Sequence, residues 1–296
     1  MLARAVACLT VLAAAGAAGS PMPTAIVRDT GDNSGAVSAG GWLAWMHSAT
    51  PNPLPPATHT VVLVRRRAGP AWRANPRGTY AQTGGIDGRT LVIQLIRGGT
   101  SKLAEIDLGS RKLTMLPLDA RTSAWLWRPS VSGRRLLYGR IDYAQGTYGI
   151  VLADRVTGTT SELAVVGGHA AYAAPGQVNG HYAVWIGCPD NQCRAYRYDI
   201  RTGRRVRMPL LGGYAYTQFG PSVARDGTVY YGNMRACGDV RLVRWRDGSV
   251  KTILRFPPRT AFVYSYVENG PQRAIYYDRV GCDRDDLSSI YRIADR

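Results

Sequence analysis

Few residues in this 296-residue chain have the types and spacing to do chemistry. Four cysteines, Cys188, Cys193, Cys237 and Cys282, follow an early Cys8 that sits inside an apolar leader. An even set of thiols in an exported chain reads as disulfides, and four thiols allow three connectivities. Zinc would require a histidine or a second close pair to complete Cys188-x4-Cys193. Neither His169 nor His181 has that spacing.

Hydrolytic chemistry needs paired carboxylates or a nucleophile with its base. Asp29-Thr30-Gly31 has the form of an aspartic-protease tripeptide, but that chemistry takes two carboxylates at one site and the chain holds no second copy. Gly31-Asp32-Asn33-Ser34-Gly35 has the form of a serine-protease loop without a matching His and Asp. Both strings are expected in turns. Asp142, Asp239 and Glu268 would suit a carbohydrate-active enzyme if two of them faced each other at about 5 to 9.5 Å. Asp283-Arg284-Asp285-Asp286 lacks the glycine and the alternation of a calcium loop and reads as a solvated turn. No cofactor or metal is expected.

Aromatic residues supply the remaining candidates. Tyr80, Trp125, Trp127, Tyr172, Tyr214, Tyr216, Phe219, Tyr264 and Tyr266 recur along the chain, with Arg77, Arg128 and Arg259 close to them. Rings stack on sugars or clamp a peptide, and arginine reads carboxylate or phosphate. The competing role for the same rings is packing.

The elements that would position them come from a repeat. Pro129-Ser130-Val131-Ser132-Gly133-Arg134-Arg135-Leu136-Leu137-Tyr138 returns as Pro175 to Trp185 and as Pro221 to Tyr231, with fainter copies at 84–93, 267–277 and 38–45. The turn glycines are Gly41, Gly88, Gly133, Gly180, Gly227 and Gly270. A period of about 45 residues signals a solenoid, a propeller or an array. Each copy offers a short stretch ending in Gly and then three alternating strands; in the fourth these are 182–186, 194–200 and 205–210. Four short strands per repeat make the blade of a β-propeller. The expected fold is therefore all-β, a six-bladed β-propeller with blades at about 36–79, 80–122, 123–168, 169–212, 213–258 and 259–296. The last copy lacks its outermost strand and the amino end has one too many, at 24–28, so that strand should complete the last blade and close the ring.

The repeats resemble the TolB-like, or PD40-type, six-bladed propeller family. Pro221-Ser222-Val223, Asp226-Gly227-Thr228-Val229-Tyr230-Tyr231 and Leu242-Val243-Arg244-Trp245-Arg246-Asp247-Gly248 carry the resemblance, which covers about 36–296. The family's Ser-Pro-Asp-Gly turn after a Trp survives here only as Ala224-Arg225-Asp226-Gly227 and Ser132-Gly133. The resemblance implies a noncatalytic scaffold that binds proteins or ligands on its loop faces, unless a peptidase domain is attached; these residues hold none.

On this frame, Cys188 and Cys193 flank one inter-strand turn, while Cys237 and Cys282 occupy the matching loops of neighbouring blades. The expected pairs are Cys188 with Cys193 and Cys237 with Cys282. Tyr80, Trp125, Trp127, Arg128, Tyr172, Tyr216 and Tyr264 fall at crossings between blades, where they would ring the channel mouth as a ligand-contact collar. His47 and His59 bracket a Pro-rich loop, 48–58, on the same face, a candidate partner-contacting arm.

Residues 1–19 have one positive charge, a short apolar core and small residues near Ala17 and Gly19, the layout of a secretory signal peptide. The apolar run is shorter than the roughly 20 residues of a membrane span, so no transmembrane segment is expected after cleavage. Residues 20–296 would then form one secreted, extracytoplasmic, monomeric domain. The net charge of +17, nearly all from arginine, favours anionic partners: a protein, an anionic envelope polymer or a membrane surface, rather than a specific nucleic acid. Arg65-Arg66-Arg67 would be the place for salt-sensitive adsorption.

Overall fold

The computed structural model describes residues 22–27, 31–49, 60–66, 69–118, 124–168, 171–189, 192–211, 217–261, 264–268, 273–283 and 287–295. The expected signal peptide, the Pro-rich loop and Tyr216 lie outside them.

Six antiparallel sheets stand in a ring. Blade one comprises Asp32–Ala39, Trp42–Ser48, Val61–Arg66 and Trp72–Arg73; blade two, Tyr80–Asp87, Thr90–Arg97, Thr100–Asp107 and Leu113–Met115. Blade three runs Ala124–Ser132, Arg135–Asp142, Thr147–Asp154 and Thr160–Gly167. Blade four holds Tyr172–Asn179, Tyr182–Cys188, Arg194–Asp199 and Arg205–Arg207, and blade five Thr217–Val223, Val229–Ala236, Asp239–Arg246 and Ser249–Arg255. In blade six the inner strand is interrupted: Thr260–Ala261 and Ser265–Glu268 both pair with Ala274–Gly281, which pairs with Ser289–Ala294. Thr24–Val27 completes that blade, with Thr24 opposite Arg292, as the strand count required.

The glycine turns explain the period. Gly41, Gly88, Gly133, Gly180 and Gly227 join the first two strands of blades one to five, all with positive φ that a side chain would strain. The first strands pack against one another around the axis in blade order, and the strand of blade six meets that of blade one. Between blades, alternating apolar faces bury Val37, Leu91 and Ile93, then Val184, Tyr231 and Trp245, then Tyr230, Ile275 and Tyr277. Burial of such side chains contributes roughly 1.5–3 kcal/mol each, which makes the blade interfaces the main source of stability.

One expectation is corrected. Asp32, Asn33 and Ser34 belong to the inner strand of blade one, not to a turn. Asn33 is buried, accepts the Trp45 indole N–H at 3.0 Å and donates to the Gly31 carbonyl, while Asp32 Oδ1 takes the Ser288 backbone N–H at 2.8 Å. Those bonds recruit polar residues into the strand and tie blade one to blade six.

Candidate ligand site at the propeller axis

Blades one to five share one irregularity. The register of the inner strand slips between Ser34 and Val37, Thr83 and Gly85, Trp127 and Ser130, Pro175 and Val178, and Phe219 and Ser222. Each slip is a β-bulge with one extra residue, a device that re-aims side chains next to sites. The bulges aim at the axis: Ala36, Gly84, Arg128, Pro129, Gly176, Gln177, Gly220 and Pro221 all line a central cavity of about 60 Å³.

Matched by strand register, Gly35, Arg128 and Gly220 are equivalent and share a left-handed backbone, with φ of 60°, 46° and 52°. Glycine adopts it without strain; a side chain there costs about 1–2 kcal/mol. Blade three thus carries an arginine where blades one and five carry glycine.

Side chains from distant blades cross at this level. Arg128 of blade three reaches diametrically to blade six, where Nη2 donates to the Tyr264 hydroxyl and the guanidinium lies 4.3 Å from the Tyr264 ring centroid. Its other flank is Trp127, at 4.9 Å. Gln177 of blade four donates to the Val267 carbonyl at 2.9 Å and accepts the backbone N–H groups of Val267 at 3.1 Å and Val223 at 3.3 Å. Tyr266 of blade six donates to the Ile86 carbonyl of blade two at 2.9 Å and accepts the Ile86 N–H at 3.3 Å. The axis is therefore plugged by Gln177 and Tyr266, with Arg128 as a bolt across it.

Electrostatics follow from burial. Desolvation pulls the Arg128 guanidinium down, but Tyr264, Tyr172 and Asp278 more than offset it, so its pKa rises and the charge stays. Arg128 has no ion pair among the described residues. Asp278, buried on the second strand of blade six, accepts the Tyr264 backbone N–H at 2.8 Å across the interrupted strand. Burial raises the Tyr172 hydroxyl and pushes Tyr266 well above the usual phenol range.

Of the expected contact residues, four come together. Trp127, Arg128 and Tyr264 are contiguous, and Tyr172 packs edge-on to Trp127 with centroids 5.6 Å apart. These rings lie on inner strands or at their starts, not out in the loops. Trp127 is only 4% exposed and covers Gly139, as Phe219 covers Gly232 in blade five, so both rings also fill space against the second strand. Trp125 is half-buried beside the same core, and Tyr80 opens the inner strand of blade two, 39% exposed. Gln177 was missing from the expected residues, and Tyr266 was among the aromatic candidates but not in the contact collar; the recurrence of Pro129, Pro175 and Pro221, all of which line the cavity, also marks this level in the sequence.

The candidate carboxylates do not converge. Asp142 caps the backbone of Ala144 and Gln145 at the loop face, and Asp239 pairs with Arg241 there. Glu268 ends its strand toward the opposite face and accepts the Tyr276 hydroxyl at 2.9 Å. Both disulfides have the expected partners, Cys188–Cys193 within a turn of blade four and Cys237–Cys282 between blades five and six.

Of the arginine run, Arg65 donates to the Ile26 carbonyl of the closing strand at 2.7 Å and stacks on Trp45, Arg66 stacks on Trp42, and Arg67 lies outside the described residues. No helix among the described residues is long and apolar enough to cross a membrane.

No protein-family model matches the chain, and no curated protein matches its sequence. Solved structures do. TolB from Acinetobacter baumannii aligns at 12% identity and a TM-score of 0.56, covering 86% of this chain and 64% of that one, so the present chain spans less than two thirds of its length. A protein assigned as TolB from Agrobacterium tumefaciens aligns at 14% and 0.58, covering 88% and 90%. The β-propeller domain of the trilobed protease from Pyrococcus furiosus, described as having an open velcro topology, aligns at 11% and 0.52, covering 90% and 94%. At such identities the likeness is one of fold, and the chain is a six-bladed β-propeller of the architecture seen in TolB and in peptidase propeller domains.

Proposed function

We propose that this protein is an exported, noncatalytic binding propeller that takes a protein or an anionic envelope ligand on its loop face, at the mouth above the plugged axis. The observation that carries the reading is the cluster of Trp127, Arg128, Tyr172 and Tyr264, from blades three, four and six, around one charged guanidinium, with Arg128 and Tyr264 lining the axial cavity. Two disulfides suit an oxidising compartment. The scattering of Asp142, Asp239 and Glu268, each with its own structural partner, favours binding over glycoside hydrolysis. The Pro-rich loop 48–58, between the second and third strands of blade one, would extend the same face.

The test is retention of envelope proteins and acidic polymers by the mature, oxidised protein at low and high salt. A specific partner persists at high salt and is lost on Tyr264→Ala. Retention that vanishes with salt and ignores Tyr264→Ala would leave only nonspecific charge, and the reading would fail.

A further inference from the structure

We infer that the axial recess is a receptor for one carboxylate group, presented by an extended segment of the ligand and held by Arg128. The inference rests on the binding reading above and specifies the chemistry of its central contact.

Charge comes first. Arg128 is half-buried as a residue and lines the cavity, while its Nε is shielded from solvent. The guanidinium donates to a neutral phenol at Tyr264, its Nε has no hydrogen-bond partner among the described residues, and none of their carboxylates lines the cavity. Asp278 lowers the cost of keeping the cation but makes no ion pair with it. A planar guanidinium with donors to spare matches a carboxylate, and such charge-assisted pairs are about twice as strong as neutral hydrogen bonds.

Size comes second. The free volume of about 60 Å³ is less than half that of an engineered protein cavity of about 150 Å³ that binds benzene, a space that suits a carboxylate better than a pyranose ring. The walls mix apolar and backbone surface from residues such as Met46, Gly84, Pro129 and Pro221 with the neutral polar side chains of Gln82, Thr83, Gln177 and Ser265. An ion pair in such surroundings is stronger than one at the surface.

Backbone comes third. Arg128 occupies the left-handed bulge position that is Gly35 and Gly220 in the other two blades of the set. A strained residue where glycine would serve is a mark of function.

Two sources present a carboxylate: a chain terminus and an Asp or Glu side chain. The experiment separates them. With the disulfide-intact protein labelled at arginine, the Nε–H resonance of Arg128, assigned by its loss in Arg128→Gly, is followed during titration with acetate, with acetamide and chloride at matched ionic strength as controls. Gly-Ser decapeptides follow, one with a free terminal carboxylate, one amidated, and one amidated with a central Glu. We expect acetate to shift the resonance saturably while the controls do not. We expect at least one carboxylate-bearing peptide to bind about tenfold or more tighter than the plain amide, a gap that Arg128→Gly closes. Arg128→Gly should keep the melting behaviour of the parent, so lost binding is not lost fold. Absence of an acetate-specific shift, or equal peptide binding by Arg128→Gly, overturns the inference. A protein that retains its envelope partner equally well as Arg128→Gly keeps the binding reading and sinks the receptor; acetate binding without any partner does the reverse.

Discussion

Two sandwiched arginines invite comparison. Arg197, in the seam between blades four and five, lies 5.0 Å from the Tyr182 ring centroid and 4.5 Å from that of Trp245, and donates to the Gly227 carbonyl at 2.9 Å. Arg128 lies between Trp127 and Tyr264 at similar distances, yet its donor goes to a phenol and its backbone is left-handed. The seam arginine holds a turn carbonyl of the neighbouring blade and behaves as a staple, whereas the axial arginine holds a phenol and lines a cavity. The Nε of each is buried without a hydrogen-bond partner among the described residues, so the difference between them lies in the acceptor, the backbone conformation and the cavity.

Four changes probe that contrast. Largest should be Gln177→Leu, which removes the hub of the axial plug and strands the N–H groups of Val223 and Val267 and the Val267 carbonyl; a loss of about 3–4 kcal/mol is expected, read by denaturant unfolding. Next is Arg197→Ala. Two ring contacts and one charge-assisted bond should cost about 2 kcal/mol, discounted for partial exposure, while leaving carboxylate binding unchanged.

Tyr266→Phe should cost about 1–2 kcal/mol by stranding both backbone groups of Ile86. Tyr266 also sets an alkaline limit, together with Tyr230, Tyr231 and Tyr277, because burial raises all four hydroxyls. Above the ordinary phenol pKa of about 10 the unfolded chain releases protons that the folded one retains, so stability falls as pH rises. Tyrosinate absorbance should therefore appear together with unfolding, and an early rise from these rings would contradict the plug. The smallest effect is Arg128→Gly, where relief of backbone strain offsets lost stacking: a stability change within about 1 kcal/mol of zero. A large loss there would make Arg128 a second staple and erase the contrast with Arg197.

Much of the ring was legible because its punctuation is chemical. Gly88, Gly133, Gly180 and Gly227 recur where a hairpin needs a left-handed residue, and only a small set of residues serves there. The closing strand was legible as a surplus at one end and a deficit at the other. The bulges were not, since Gly35-Ala36, Arg128-Pro129 and Gly220-Pro221 share a conformation but no one residue type across all three. The roles of Gln177 and Tyr266 as an axial plug were illegible for a related reason: each bonds to a blade that is not its neighbour in the chain. The arginine excess read as an electrostatic field, whereas Arg65, Arg135, Arg155 and Arg197 are occupied with backbone carbonyls of neighbouring blades and strands. Along one sequence, an arginine on a carbonyl and an arginine at a surface look the same.

The pairing of Thr24 with Arg292 also dictates an order of events. The strand that completes the ring is among the first made, and its partner is among the last. Bringing segments so far apart together costs about 5 kcal/mol of loop entropy, with no local contacts to offset it until the five intervening blades exist. The fold therefore cannot lock before the partner strand Ser289–Ala294 is available, and late closure defers rigidity at the cost of slow folding and a strand edge left open meanwhile.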